Sequence, residues 1–227
     1  MMKRLSAIAA AGAALLMVSG CTAPSGGPAG VVSAPSTSVP STASSPSSAG
    51  LPAPVAPPDG YTMVTAAANK IHVPLPDALE VLDPSQIAAN QDMQQNLTNM
   101  AQKLGITTDA LLQELDNLDI YAADGDSNNV NILQPLPSIG TTLADVQPSL
   151  ENLGVTGVTS RDAVAPTGPA LVVTYTMTQN DVTMSGTQLY VQTDTMTTTV
   201  ITITGVTWTA DQVTQIANVM LASLQHV

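Results

Sequence analysis

The sequence predicts an α+β domain, an antiparallel β-sheet flanked by helices, standing behind a signal peptide and a disordered linker. Three observations carry that prediction. Between Leu171 and Thr204, three runs of apolar and β-branched residues are separated by turn residues, as in an antiparallel meander. Other stretches repeat apolar residues at helical spacing and begin at a capping threonine or end at glycine. Residues 22–58 carry no charge and are almost wholly Ser, Thr, Pro, Ala and Gly, a composition that cannot bury enough apolar surface to offset chain entropy. The chain therefore divides into a signal peptide (1–20), a linker opening on Cys21 (21–60) and a single domain (61–227).

The amino end has a basic start, Lys3 and Arg4, and then the apolar run Leu5–Val18. That run is shorter than the roughly 20 residues needed to span a bilayer and suits a secretory signal. It ends in Val18-Ser19-Gly20-Cys21, which resembles the bacterial lipobox at every position. The small residues let the backbone enter a peptidase cleft, and the Cys21 thiol is the nucleophile that takes a diacylglyceryl group. The expectation is an extracytoplasmic protein held to the cell membrane by covalent lipid on Cys21. As flexible coil, the linker would reach roughly 35 Å from the bilayer.

Cleavage before Cys21 removes Lys3 and Arg4 and takes the formal net charge from −12 to −14. So acidic a surface repels nucleic acid, anionic headgroups and acidic wall polymers, which argues against all three as direct partners. Cys21 is the one cysteine, so the domain folds without a disulfide. With no Phe, one Trp and four Tyr, the core must be built from Leu, Val, Ile and Met.

In chain order, Ile71, Val73 and Leu75 alternate in a short strand, placed at a sheet edge by Pro74. Met93, Leu97, Met100 and Leu104 then form one helical stripe ending at Gly105, and Leu111, Leu112, Leu115 and Leu118 belong to a second short helix. Met93, Met100 and, further on, Met220 are candidate contacts for an apolar ligand, set against plain core packing. Asp119–Ala123 and Asn129–Leu133 read as a hairpin. Its turn alternates Asp124, Asp126 and Asn128 like a calcium loop, but Asn129 stands where glycine is needed and Pro135 where a bidentate Glu belongs. Calcium is therefore not expected.

Leu143, Val146, Leu150 and Leu153 make another stripe closed by Gly154, and Pro148 leaves two forms open, a kinked helix or one whose regular part starts near the proline. After the meander, Trp208-Thr209-Ala210-Asp211-Gln212-Val213 opens the last helix. Thr209 and Gln212 form a capping box, and Trp208 and Val213 hold the staple positions. Val213, Ile216, Ala217, Met220 and Leu224 supply its apolar face.

This order, with Val73-Pro74-Leu75-Pro76 early, Leu153-Gly154 midway, Gly168–Met177 opening the meander and an amphipathic helix at the end, resembles the actinobacterial, notably mycobacterial, LpqN-type lipoproteins. The likeness covers roughly residues 68–227. It implies a PsbP-like α/β/α sandwich that handles an apolar envelope molecule such as a glycolipid, or docks to an envelope transport protein.

Catalytic groups are sparse. His72 lies within a strand and His226 near the terminus, two histidines far apart in sequence, and Cys21 is committed to lipid. No phosphate loop occurs, and the carboxylate pairs Asp116/Asp119 and Asp124/Asp126 lie on turns and solvated faces. The expectation is a non-enzymatic binding domain with no cofactor beyond the lipid. The alternative is a protein-interaction or adaptor module with no small ligand.

Overall fold

The computed structural model describes residues 50–82, 98, 107–109, 116–137, 142–179 and 182–227. The helical stripe from Met93 to Leu104 and the run Leu111–Leu115 lie outside the described residues, as does the signal peptide with Cys21. What is described is mostly antiparallel sheet with two helices, an α+β architecture.

The meander forms as its alternation requires. β8 (Gly168–Gln179), β9 (Val182–Gln192) and β10 (Thr197–Gly205) pair in sequence. β4 (Leu118–Ala123) and β5 (Asn129–Leu133) form the expected hairpin, with Leu118 now the strand's first residue and not a helix residue. Together with β3 (Glu80–Leu82) and β7 (Thr156–Ala165) they give a sheet ordered β3-β4-β5-β10-β9-β8-β7, with β6 (Leu136–Pro137) paired to β10. A second, three-stranded sheet is ordered β1-β2-β11. It joins β1 (Tyr61–Ala66), β2 (Ile71–Pro76) and β11 (Gln225–His226).

β2 is thus a central strand, where Pro74 suggested an edge. The proline is tolerated because β11 pairs only at Ile71 and His72, so the strand has an open side again before Pro74 is reached. β1 and β7 carry no clear alternation in the sequence. β7 is exposed on both faces for most of its length and forms the outer edge of the large sheet. β1 lies partly exposed above the core.

Both faces of the large sheet are covered. On the first, Ile120, Ala122, Val130, Ile132, Val172, Leu189, Ile201 and Ile203 pack against α2 (Ala210–Ser223) and the small sheet. Thr209 caps α2 as expected: its hydroxyl accepts the Gln212 N–H at 3.2 Å while Gln212 Oε1 accepts the Thr209 N–H at 2.8 Å. Each large apolar side chain that α2 buries contributes about 1.5–3 kcal/mol. On the second face, Leu118, Leu133, Leu171, Val173 and Val200 pack with Val146, Leu150 and Leu153. α1 (Leu143–Asn152) is regular from its start and runs through Pro148, ending where Gly154 adopts φ 63°.

Two buried asparagines tie these layers together. Asn69 Nδ2 donates to Asp119 Oδ2 at 2.8 Å and to the Leu133 carbonyl at 2.7 Å, and its Oδ1 accepts from the Thr199 hydroxyl. Asn128 Oδ1 accepts the backbone N–H groups of Val206, Thr207 and Trp208, and its Nδ2 donates to Asp124 and Thr207. The loop that resembled a calcium site is therefore a structural brace. Asp124 Oδ1 accepts the N–H groups of Asp126 and Asn128, folding the hairpin turn on itself.

Candidate functional site

The second face of the large sheet holds a group that packing alone does not account for. Strand register sets Tyr121 of β4 opposite Asn131 of β5, Asn131 opposite Thr202 of β10, and Thr202 opposite Gln188 of β9. The next row sets Asn129 opposite Thr204 and Thr204 opposite Gly186. The neighbours Val130, Ile132, Leu189, Ile201 and Ile203 point to the α2 side, so alternation sends these polar residues to the other face. There Tyr121 joins the apolar cluster with Leu133, Tyr190 and Val200. The result is a strip of amides and hydroxyls across four strands inside an apolar layer.

The strip is closed to water but not fully paired. Asn131 is 1 % exposed, yet neither its Oδ1 nor its Nδ2 meets a partner among the described residues. Tyr121 Oη, Asn129 Oδ1 and the Thr198 hydroxyl are likewise buried without one. One end is fixed: the Tyr190 hydroxyl donates to Gln188 Oε1 at 2.7 Å, and Gln188 Nε2 reaches Thr202 Oγ1 at 3.5 Å. A buried amide or hydroxyl without a partner costs about 1–3 kcal/mol. Asn69 and Asn128, by contrast, are fully engaged, so the fold satisfies buried amides where they serve structure.

No strip residue carries charge. Burial, and next the charge of Asp124, push the Tyr121 phenol far above its ordinary range, so the group stays protonated and can donate. Tyr175 is raised by burial as well. The arrangement offers neutral donors and acceptors. Sequence reasoning missed it because Asn129, Asn131 and Gln188 alternate with aliphatic residues and so read as solvent-facing.

Tyr175 bounds the strip at Gly186. A Cβ at Gly186 would fall inside the Tyr175 ring, so the strand glycine is required by the close approach of the aromatic. Gly186→Ala should lower stability by about 1–3 kcal/mol through overpacking, read as a shift in the urea midpoint. An unchanged midpoint would show that the ring moves freely.

Of the residues singled out in the sequence as ligand contacts, one is described. Met220 is 0 % exposed in the layer between α2 and the sheet, which is closely packed. Met93, Met100 and Cys21 lie outside the described residues. The two histidines, distant in sequence, come onto adjacent strands, since His226 pairs with Ile71 beside His72. His72 Nδ1 hydrogen bonds the Thr65 hydroxyl at 3.0 Å. Among the described residues, no three His, Cys, Asp or Glu side chains gather to hold a metal, and no helix is long and apolar enough to cross a membrane. Between α1 and β7, an open groove of about 220 Å³ is lined by Leu143, Gln147, Leu150, Glu151, Val155 and Val158. No protein-family model matches the chain, and no curated protein matches it.

Proposed function

We propose that this protein is a cell-envelope lipoprotein, anchored to the membrane through Cys21 and facing the extracytoplasmic side. Its PsbP-like, LpqN-type domain binds or passes on an apolar envelope molecule such as a glycolipid and does no catalysis. The observation that carries the reading is Asn131, an amide with donor and acceptor both buried and unpaired inside an apolar cluster. A purely structural sandwich would gain stability from an aliphatic residue there, and a ligand hydroxyl or amide would satisfy both of its atoms. The lipobox and the uncharged linker support the location.

The adaptor reading has its own support. β7 is a ten-residue edge strand with Val158 and Val164 exposed, and edges of this kind accept partner strands. The two readings separate in native mass spectrometry of the protein purified from its own membranes. The expected result is a co-purifying lipid of defined mass beyond the acyl chains on Cys21. Protein that carries no lipid, and comes instead in stoichiometric complex with another polypeptide, would move the assignment to the adaptor.

A further inference from the structure

We infer that the free edge of β7 is a strand-addition site for an extended segment of another polypeptide, one that sets a cationic residue between two apolar ones on the same face. This deepens the protein-interaction reading and rests on it. Among the described residues β7 pairs only with β8 and closes the large sheet on that side. Val164 stands opposite Pro169, which has no N–H, so that pair is not hydrogen-bonded and the ladder alternates away from it. Thr159, Arg161 and Ala163 therefore bond to β8, while Ser160, Asp162 and Val164 turn their N–H and C=O groups outward. All three are exposed, so their donors and acceptors stand in a row at strand spacing, open to an added strand.

The side chains fix the chemistry of the incoming strand. Ser160 and Asp162 stand opposite Val173 and Leu171, so they and Val164 point to the second face of the sheet. Residues opposite each other across a ladder share a face, so alternate side chains of the added strand come beside Val164, Asp162 and Ser160 in turn. Val164 is 58 % exposed and calls for an apolar neighbour. Asp162 calls for a cation, and Glu151, in the groove between α1 and β7, adds a second carboxylate on that face. Arg161 does not neutralise them, because it turns to the other face and donates to Asn218 of α2. Val158, two residues before Ser160, lines the groove with Leu143 and Leu150, so the side chain opposite Ser160 is best apolar. The excess of 17 acidic over 5 basic residues favours a basic partner at longer range.

A second copy of this chain fits worse. The register shifts between Thr156 and Thr159, where Gly157 takes φ 62°, so the straight edge runs over 159–165. Full overlap of that edge with its twofold copy sets Asp162 against Asp162, like charges directly opposed, and a shifted register gives up ladder bonds.

The test uses the full chain carrying Cys21→Ala and two labelled peptides, Thr-Val-Thr-Lys-Thr-Val-Thr and its counterpart with glutamate for lysine, with binding read by fluorescence anisotropy. The lysine peptide should bind about tenfold more tightly, because attraction at Asp162 becomes repulsion in the other. Asp162→Lys should reverse that order. Ser160→Pro removes an outward N–H that β8 does not use, and should weaken the lysine peptide severalfold with the fold intact. On binding, hydrogen exchange should slow at Ser160, Asp162 and Val164 and stay unchanged at Arg161 and Ala163, whose N–H groups already bond β8. Asp162→Lys, a change on an exposed side chain, carries the test should Ser160→Pro fail to fold.

Equal affinity for the two peptides would overturn the proposal, as would binding untouched by either variant. So would a dimer in sedimentation that Ser160→Pro dissociates, which would make a second copy the occupant. If no peptide binds, yet a polypeptide still co-purifies with the Ser160→Pro chain from native membranes, the site fails and the adaptor reading stands with its surface elsewhere. Absence of both peptide binding and a co-purifying polypeptide removes the adaptor reading as well.

Discussion

Asn128→Ala should destabilise the domain by about 3 kcal/mol and lower its melting temperature by about 6–12 °C. The side chain is 1 % exposed and stands where the β4–β5 turn meets the segment between β10 and α2. Its carbonyl oxygen accepts three successive backbone N–H groups, from Val206 at 2.9 Å, Thr207 at 3.0 Å and Trp208 at 3.1 Å. Its Nδ2 donates to Asp124 Oδ2 at 2.8 Å and Thr207 Oγ1 at 2.9 Å. No backbone partner can replace an acceptor at that point, so truncation leaves three donors orphaned in a partly buried corner. The turn also places Thr209 for the α2 cap, so local loss should spread to the helix amino end.

Two comparisons isolate the cause. Thr207→Ala removes only one acceptor and should cost less than about 1 kcal/mol. Asn128→Asp keeps the acceptor oxygen but loses the amide donor and sets a carboxylate against Asp124, so it should recover only part of the loss. Urea denaturation showing Asn128→Ala within about 0.5 kcal/mol of the parent would mean the corner is held by packing of Trp208 and Val213 around Gly205, where they leave no room for a side chain.

What the sequence revealed follows from which faces are buried. β8, β9 and β10 were legible because their aliphatic and β-branched runs meet the core directly, and the β4–β5 hairpin because Asn129–Leu133 alternates around a turn. α2 announced itself through Thr209 and Gln212, whose capping box is a local interaction that needs no tertiary context. β7 was not legible: residues 156–164 are exposed or half-exposed, so burial imposed no period on them. The place of β2 was missed because β11, two residues long, leaves almost no trace in sequence.

The polar strip was hidden for a different reason. Alternation of Asn129, Val130, Asn131 and Ile132 is what a sheet with one wet face would show. Only the second cover reveals that the amides are buried. One sequence signal was present. The positions of that parity on three neighbouring strands, Asn129, Asn131, Gln188, Thr198, Thr202 and Thr204, contain no charge, although acidic side chains outnumber basic ones in the chain 17 to 5. A solvated face of so acidic a protein would be expected to carry carboxylates; a face lacking them is covered.

Cys21→Ala should abolish metabolic labelling by palmitate and shift the protein from the membrane to the soluble fraction. Stable anchoring requires two or more acyl chains, each buried methylene contributing about 0.8 kcal/mol, and Cys21 is the one thiol that can carry them. The substitution also removes the nucleophile ahead of cleavage, so the apolar run Leu5–Val18 stays attached. That run is too short to span the bilayer stably. The uncharged linker adds no affinity for a bilayer, and the net negative charge of the domain opposes it. Labelling and partition together make the outcome decisive. Loss of label with release establishes the thioether-linked lipid as the anchor. Loss of label with the protein still on the membrane would shift the anchor to the uncleaved segment or to a membrane partner. Label retained would refute Cys21 as the modified residue. On the proposed reading, any binding by the domain should be unchanged in the released form, because residues 22–58 stand in the sequence between Cys21 and the domain.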